Sequence, residues 1–368
     1  MWEIGGVFLV VCLIRFKYQN KGSYKMKSTW RFILSLVVIL TAILAIMMAA
    51  FALPAVHSGV QQVPIGIIEK NDAIYDKISQ SLQAKGFKVT RFNTEKTAVN
   101  AMKERKAYGV YAIDPSGDVT LYKATAASTT VAQLLTDVAK EMLTQQKSAA
   151  QEQLTQLMTK TTDSVKLKVL TQKLVAISAK QVKIVEVKAF PKTDEKGSGL
   201  AAGALPIALG GWIGTVAISQ LIKGKRQKFI AVIGFSIIGG LGLIAVIQFG
   251  IGTFDGNYLL TSLGAMLGIM ATSFFVLGIL EVLGLPGLGI AAIVLILLGN
   301  PLSGLLTAPE LLPNGWGAFG QLLPPGATGT LLRNIAFFDG HAISQPLLVL
   351  LAYVGFGMIL FKLGKKSV

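Results

Sequence analysis

Cysteine is almost absent from this 368-residue chain: Cys12 is the only one, so no intrachain disulfide can form. Any part exposed to an oxidising exterior has to be held by its own core. Histidine is nearly as scarce. His57 and His341 are the only two, both next to apolar stretches, and no Cys/His spacing suggests a metal cluster. No glycine-rich turn ends in Gly-Lys-Ser or Gly-Lys-Thr, as a phosphate loop would. No local motif suggests a Ser-His-Asp arrangement. The expectation is a protein that is not an enzyme, with no catalytic residue, metal or cofactor site. Charge is sparse as well. Charged residues make up 15% of the chain, against about 25% in a soluble domain. Acidic residues are the scarcer sign, 19 against 35 lysines and arginines.

What the chain does have is long apolar runs. Hydrophobic residues make up 52% of it and mean hydropathy is +0.59. About 20 consecutive apolar residues cross a bilayer as a helix, and a helix satisfies its own backbone in lipid. Six stretches qualify: 30–55, ending at Pro54, then 199–222, 229–252, 258–283, 287–306 and 346–361. The last apolar block before residue 307 is too long for one span. It breaks at Leu283-Gly284-Leu285-Pro286-Gly287, where proline removes a donor and glycine frees the backbone. Glycine runs such as Gly239-Gly240-Leu241-Gly242 fall inside a span, where small residues let helices pack closely. The fold class expected is therefore membrane α-helical, six transmembrane helices with an extracellular α/β domain inserted between the first two. The layout leaves transport, surface reception or membrane scaffolding, and argues against a soluble enzyme.

The net charge of +16 is not a nucleic-acid footprint, because much of it flanks the spans. Lys25, Lys27 and Arg31 precede the first span. Lys223, Lys225, Arg226 and Lys228 lie between the second and third. Lys362, Lys365 and Lys366 follow the sixth, in a basic tail at 362–368. Six spans with the N-terminus inside put all three clusters on the cytoplasmic face, as the positive-inside rule requires; five or seven would put one outside. The expected location is the cell membrane, multi-pass, with both termini cytoplasmic. Residues 1–29 form a leader. Its apolar part, Gly5–Ile14, is too short to span. It reads either as an interfacial helix or as sequence upstream of a natural start at Met26.

The insert at 56–198 is basic, with 21 lysines and arginines against 14 acids between His57 and Lys196. Strands are expected at Val63–Glu69, Phe87–Phe92, Tyr108–Ile113, Val119–Tyr122 and Val182–Phe190. Helices are expected at Ala73–Ala84 and Thr94–Lys106, with Thr94 as cap. Asp114-Pro115-Ser116-Gly117 is a turn. A long helical stretch, 129–179, breaks at Thr161-Thr162-Asp163. Its apolar stripe packs on the α/β unit or meets a partner. Pro191–Ser198 is a polar linker. Glu281 and Asp255 each lie near enough to an interface to reach water.

Residues 307–345 are too broken to span, yet rich in Leu, Phe and Trp. They are expected to lie at the outer interface, as a lid on the bundle or as a gate that contacts substrate. Trp316 and the pair Phe337-Phe338 would anchor the segment, and Arg333 and Asp339 are placed to pair. The candidate residues are Trp316, Pro324, Pro325, Gly326, Arg333, Phe338, Asp339 and Gly340.

One span, an exported unit opening on Val63–Asp72, the segment Lys103–Ile113, the return at Gly199–Gln220 and the outer stretch Gly320–Gly340 together carry a resemblance. Over residues 28–365 the chain resembles the ABC type-2 exporter permeases, and most closely the phage infection protein-like membrane proteins of Gram-positive bacteria. The resemblance implies a permease that works with a separate cytoplasmic ATPase, as a homodimer in the lipid bilayer, moving a hydrophobic or cell-surface compound outward. Some relatives act instead as receptors or scaffolds through longer extracellular domains. The inner loop is very short, so Lys223, Lys225, Arg226 and Lys228 are the candidate ATPase contacts, with residues 15–31 and the turn at 283–287.

Overall fold

The structure is a computed structural model that describes residues 30–114 and 116–364. The leader, Lys25, Lys27, Met26, Pro115 of the expected turn, and Lys365 and Lys366 of the tail lie outside the described residues. Two compact units divide between residues 49 and 50. The first contributes most of helix α1 (Trp30–Val56), an apolar helix in which Thr41 Oγ1 donates to the Val37 carbonyl at 2.9 Å.

The second unit opens with β1 (Val63–Ile68), α2 (Asp72–Ala84), β2 (Phe87–Arg91), α3 (Glu95–Lys103), β3 (Gly109–Ile113) and β4 (Val119–Lys123). The two long helices α4 (Thr129–Thr159) and α5 (Ser164–Ala179) follow, then β5 (Lys183–Glu186). Caps mark the helix starts. Asn71 Oδ1 accepts from the amides of Ala73 and Ile74, Thr94 Oγ1 from Thr97, and Asp163 Oδ1 from Val165 and Lys166. The strands form one sheet in the order β2-β1-β3-β4-β5. β1 runs parallel to β2 and β3, β3 and β4 form an antiparallel hairpin, and β5 lies parallel to β4. Val63, Ile65 and Ile67 of β1 are fully buried, as a central strand covered on both faces requires. The first half of α4 buries Val131, Leu135 and Val138 against this sheet; its second half and all of α5, which has no buried residue, extend away from it.

The polar linker is ordered. It forms a 3₁₀ turn at Lys192–Asp194, and Asp194 accepts from the amides of Ser198 and Gly199, satisfying the start of α6 (Ser198–Leu221). α7 (Lys225–Ala245) continues through a π turn to Ile251. α8 (Tyr258–Leu283) is the axis of the bundle: 72% of its most apolar window is buried, against 28–39% in α6, α7 and α12 (Ser344–Leu363). α8 and α12 touch backbone to backbone. A Cβ on Gly357 would lie 2.3 Å from the Phe274 carbonyl carbon, so only glycine permits the approach.

Among the described residues five helices are long and apolar enough to cross a membrane: Ile33–Val56, Ser198–Leu221, Lys225–Ile251, Tyr258–Leu283 and Ser344–Leu363. The span expected at 287–306 is shorter. α9 (Leu285–Ala292) runs on through a π turn only to Leu298, about 21 Å at 1.5 Å per residue, against about 30 Å of hydrocarbon. Pro301 is the physical reason: it lacks a donor and disfavours helical geometry at Asn300.

The segment 307–345 also differs from expectation. Besides the short α10 (Trp316–Gly320) it holds α11 (Pro324–Phe337), a helix buried along nearly its whole length against α8, α6 and α12. Pro324 and Pro325 start it, since an N-terminal proline loses no intrahelical bond. Phe337 and Phe338 are buried and are not interfacial anchors. Phe337 makes edge contacts with Phe190 and Phe254 at 5.0 and 5.7 Å, joining the sheet and the bundle in one continuous core.

Candidate functional site

The sheet-bearing region meets the segment after α9 across a polar seam. The amides of Gly59 and Gln61, just before β1, donate to the carbonyls of Leu311 and Glu310 at 2.9 and 3.1 Å. Tyr108 Oη, just before β3, donates to Glu310 Oε2 at 2.7 Å. Lys188 after β5 reaches Asp339 Oδ2 at 3.0 Å. Between these contacts lies a cavity of about 480 Å³, lined among others by Gln61, Arg105, Tyr108, Glu310, Arg333 and Asn334.

Several elements bring these side chains together. Arg105 follows α3 with a positive φ of 64°, and its guanidinium stacks 4.7 Å from the Phe338 ring centroid and 5.2 Å from that of Tyr108. Arg333 and Asn334 come from the last turns of α11, 4% and 1% exposed. Asn334 Nδ2 donates to the Ala342 carbonyl at 2.9 Å. Among the described residues four non-glycines have positive φ: Gln62, Arg105, Asp339 and Ala342. Three of them, Gln62, Arg105 and Ala342, line this cavity. Backbone held in that sparsely populated region is concentrated at ligand sites.

The electrostatics are unbalanced. Glu310 is engaged by Tyr108, while neither Arg105 nor Arg333 has an ion-pair partner among the described residues. The hydrogen bond given to Arg333 is a long one, Nη2 to the Leu305 carbonyl at 3.4 Å. Burial, and then the like charge of Arg105, pull the Arg333 guanidinium down to about 10, so it is still charged at neutral pH. Burial first, and the negative charge of Glu310 second, push the Tyr108 phenol up. Four buried atoms without partners among the described residues collect here: Nε of Arg105, Nε of Arg333, Oε1 of Gln61 and Oδ1 of Asn334. Such atoms are rare in native interiors, where buried polar groups are nearly always paired.

The expected lid residues divide accordingly. Arg333 lines the cavity, and Phe338 is the floor under Arg105. Trp316 is partly exposed on α10, whose Gly317 and Ala318 line the cavity. Pro324, Pro325 and Gly326 are buried at the start of α11, away from the lining. Gly340, at φ 77°, turns the chain after α11. The expected Arg333–Asp339 pair does not form. Arg333 points from the helix into the interior, whereas Asp339, past the helix end, is 72% exposed and takes Lys188. Gln61, Arg105, Tyr108, Glu310 and Asn334 carried no local signal. Arg105 sits in Lys103-Glu104-Arg105-Lys106, which reads as a solvated cluster.

The inner loop is corrected as well. Lys228 is not a surface contact: its Nζ lies 2.8 Å from Glu281 Oε1, with side chains 10% and 6% exposed. Glu281 therefore meets a lysine rather than water. Lys225 Nζ donates to the carbonyls of Phe361 and Gly364, capping α12. Lys223 and Arg226 remain exposed. The ring nitrogens of His57 and His341 are held by the carbonyls of Leu53 and Phe338, each within its own turn. In comparison with known proteins, no family model and no curated protein matches the chain.

Proposed function

We propose that this multi-pass protein is the permease subunit of an ABC type-2-like exporter, with its sheet-bearing region outside the cell and both termini in the cytoplasm. A separate ATPase supplies the energy, and two copies enclose the path, since one bundle of this size encloses little and symmetric dimers are common. The observation that carries the reading is the cavity at the seam: the sheet and α11 share one core and converge their polar groups on one pocket. A tethered receptor needs no such fusion of its soluble part with its membrane helices. On this reading α9 rises only part-way, the irregular chain after it completes the crossing inside protein, and α11 fills the outer half. Lys223 and Arg226 are the ATPase contacts that remain on the short inner loop.

The test is co-purification from native membranes of a Gram-positive host after crosslinking. The expected result is recovery of an ATPase, lost in the double variant Lys223→Glu, Arg226→Glu. Recovery of no ATPase with the wild-type chain overturns the reading. One feature favours the alternative, a non-transporting receptor or scaffold. The outer part of α4 and α5 carries exposed Leu157, Val165, Val169 and Val175, a face suited to a partner. Deleting 145–178 abolishes the phenotype on that reading and spares export on the first.

A further inference from the structure

We propose that the cavity at the seam binds a hydroxyl-bearing phosphodiester, with the phosphate between Arg105 and Arg333 and its hydroxyls at Gln61 and Asn334. The inference deepens the exporter reading by naming a ligand class, and it rests on that reading's placement of the seam at the outer membrane surface.

The cavity holds two arginines, each without an ion-pair partner among the described residues, and one carboxylate already engaged by Tyr108. Its excess charge is positive. A guanidinium offers a fork of N–H donors that matches phosphate oxygens two at a time. Among the described residues no hydrogen bond consumes that fork at Arg105, and its guanidinium lies over the rings of Tyr108 and Phe338. The partnerless atoms are of two kinds. Nε of Arg105 and Nε of Arg333 are donors and ask for an anion; Oε1 of Gln61 and Oδ1 of Asn334 are acceptors and ask for hydroxyls. A bare anion satisfies the first pair alone. A phosphodiester of a polyol satisfies both.

The volume suits a head group, since about 300–1,000 Å³ is usual for small-molecule pockets. The rim suits an amphiphile. α10 lines the cavity with Gly317 and Ala318, and Trp316, Phe319 and the adjacent Leu322 are exposed apolar residues. Alkyl chains can lie along those residues while the head group enters. The same phosphodiester chemistry is available from a lipid, such as phosphatidylglycerol, or from its soluble, deacylated head group, glycerophosphoglycerol, and the experiment separates the two.

The full chain, purified into phosphatidylcholine nanodiscs, is titrated with phosphatidylglycerol, phosphatidic acid and soluble glycerophosphoglycerol, with binding read by native mass spectrometry. Saturable binding of phosphatidylglycerol is expected, at least tenfold tighter than phosphatidic acid. Arg333→Gln and Arg105→Gln weaken it tenfold or more, and Gln61→Leu weakens it several-fold. Lys188→Gln, a lysine outside the cavity, leaves it unchanged. Thermal unfolding of each variant confirms that the fold persists. Tight binding of glycerophosphoglycerol supports the free source, and binding of the lipid alone supports the lipid source. Equal binding of phosphatidic acid overturns the role of the hydroxyls. Binding unchanged in folded Arg333→Gln and Arg105→Gln, or no binding by the wild type, overturns the proposal. The assay contains no ATPase and no ATP. A protein that binds but does not export overturns the transport reading alone, and one that exports without binding overturns this one.

Discussion

Among the described residues two cations are buried, and the difference between them separates structure from function. Lys228, at the start of α7, faces Glu281 near the end of α8 at 2.8 Å. Arg333, near the end of α11, shares its cavity with a second arginine and has no ion-pair partner among the described residues. A buried charge costs several kcal/mol unless an opposite charge and hydrogen bonds replace its water. The inner lysine meets that condition within the fold. The outer arginine meets it only in part, and its cavity is where strained backbone and partnerless polar atoms gather.

Breaking the inner pair has the largest expected effect. Glu281→Ala leaves Lys228 buried and uncompensated and lowers unfolding stability by about 3–5 kcal/mol. The double variant Lys228→Met, Glu281→Leu returns close to wild type, because both charges are then gone. Denaturant unfolding in one detergent measures both. A Glu281→Ala protein as stable as wild type ends the claim that the pair is structural.

The outer site should respond with the opposite sign. Arg333→Met removes a buried cation and keeps most of its volume, so the ligand-free protein gains about 1–3 kcal/mol. The pH dependence follows from the lowered pKa. Folding disfavours the charged form, so the penalty is complete below about 10 and fades as pH rises from there toward the ordinary value of 12.5. The gap between Arg333→Met and wild type is therefore constant at neutral pH and narrows above pH 10. A gap that widens there contradicts the burial argument.

Smaller effects sharpen the comparison. Tyr108→Phe removes the hydrogen bond to Glu310 and costs about 1 kcal/mol, seen as a lower thermal midpoint. Lys188→Ala breaks the pair with the exposed Asp339 and costs less than about 1 kcal/mol, a loss that 0.5 M salt erases in the same melt.

Some of this was legible from local pattern. Period-two and period-3.6 apolar runs, closed by caps such as Asn71, Thr94 and Asp163, locate the strands and helices of the insert to within a few residues. The break before α5 falls at Thr161-Thr162-Asp163 because the chain stops being apolar there. The long apolar helices were legible for the same reason. α11 was not, since Pro324, Pro325, Gly326 and Gly329 read as a breaker cluster. Only tertiary burial reveals that the prolines start a helix and the glycines permit close packing: a Cβ on Gly326 would lie 2.2 Å from the Gly320 carbonyl oxygen.

By itself, then, the sequence determined most of the segments that are helix or strand, because propensity and periodicity act over a few residues. Tertiary structure decided which charges meet. Lys228 and Glu281 look like two interfacial residues until α7 packs on α8, and Arg333 and Asp339 look like a pair until the end of α11 turns them apart. Arg105 reaches Arg333 only because the sheet places the end of α3 over the end of α11. Such encounters depend on the path of the whole chain, and burial then determines their energy. The cavity was invisible in the sequence because its residues come from distant segments whose local patterns are unrelated.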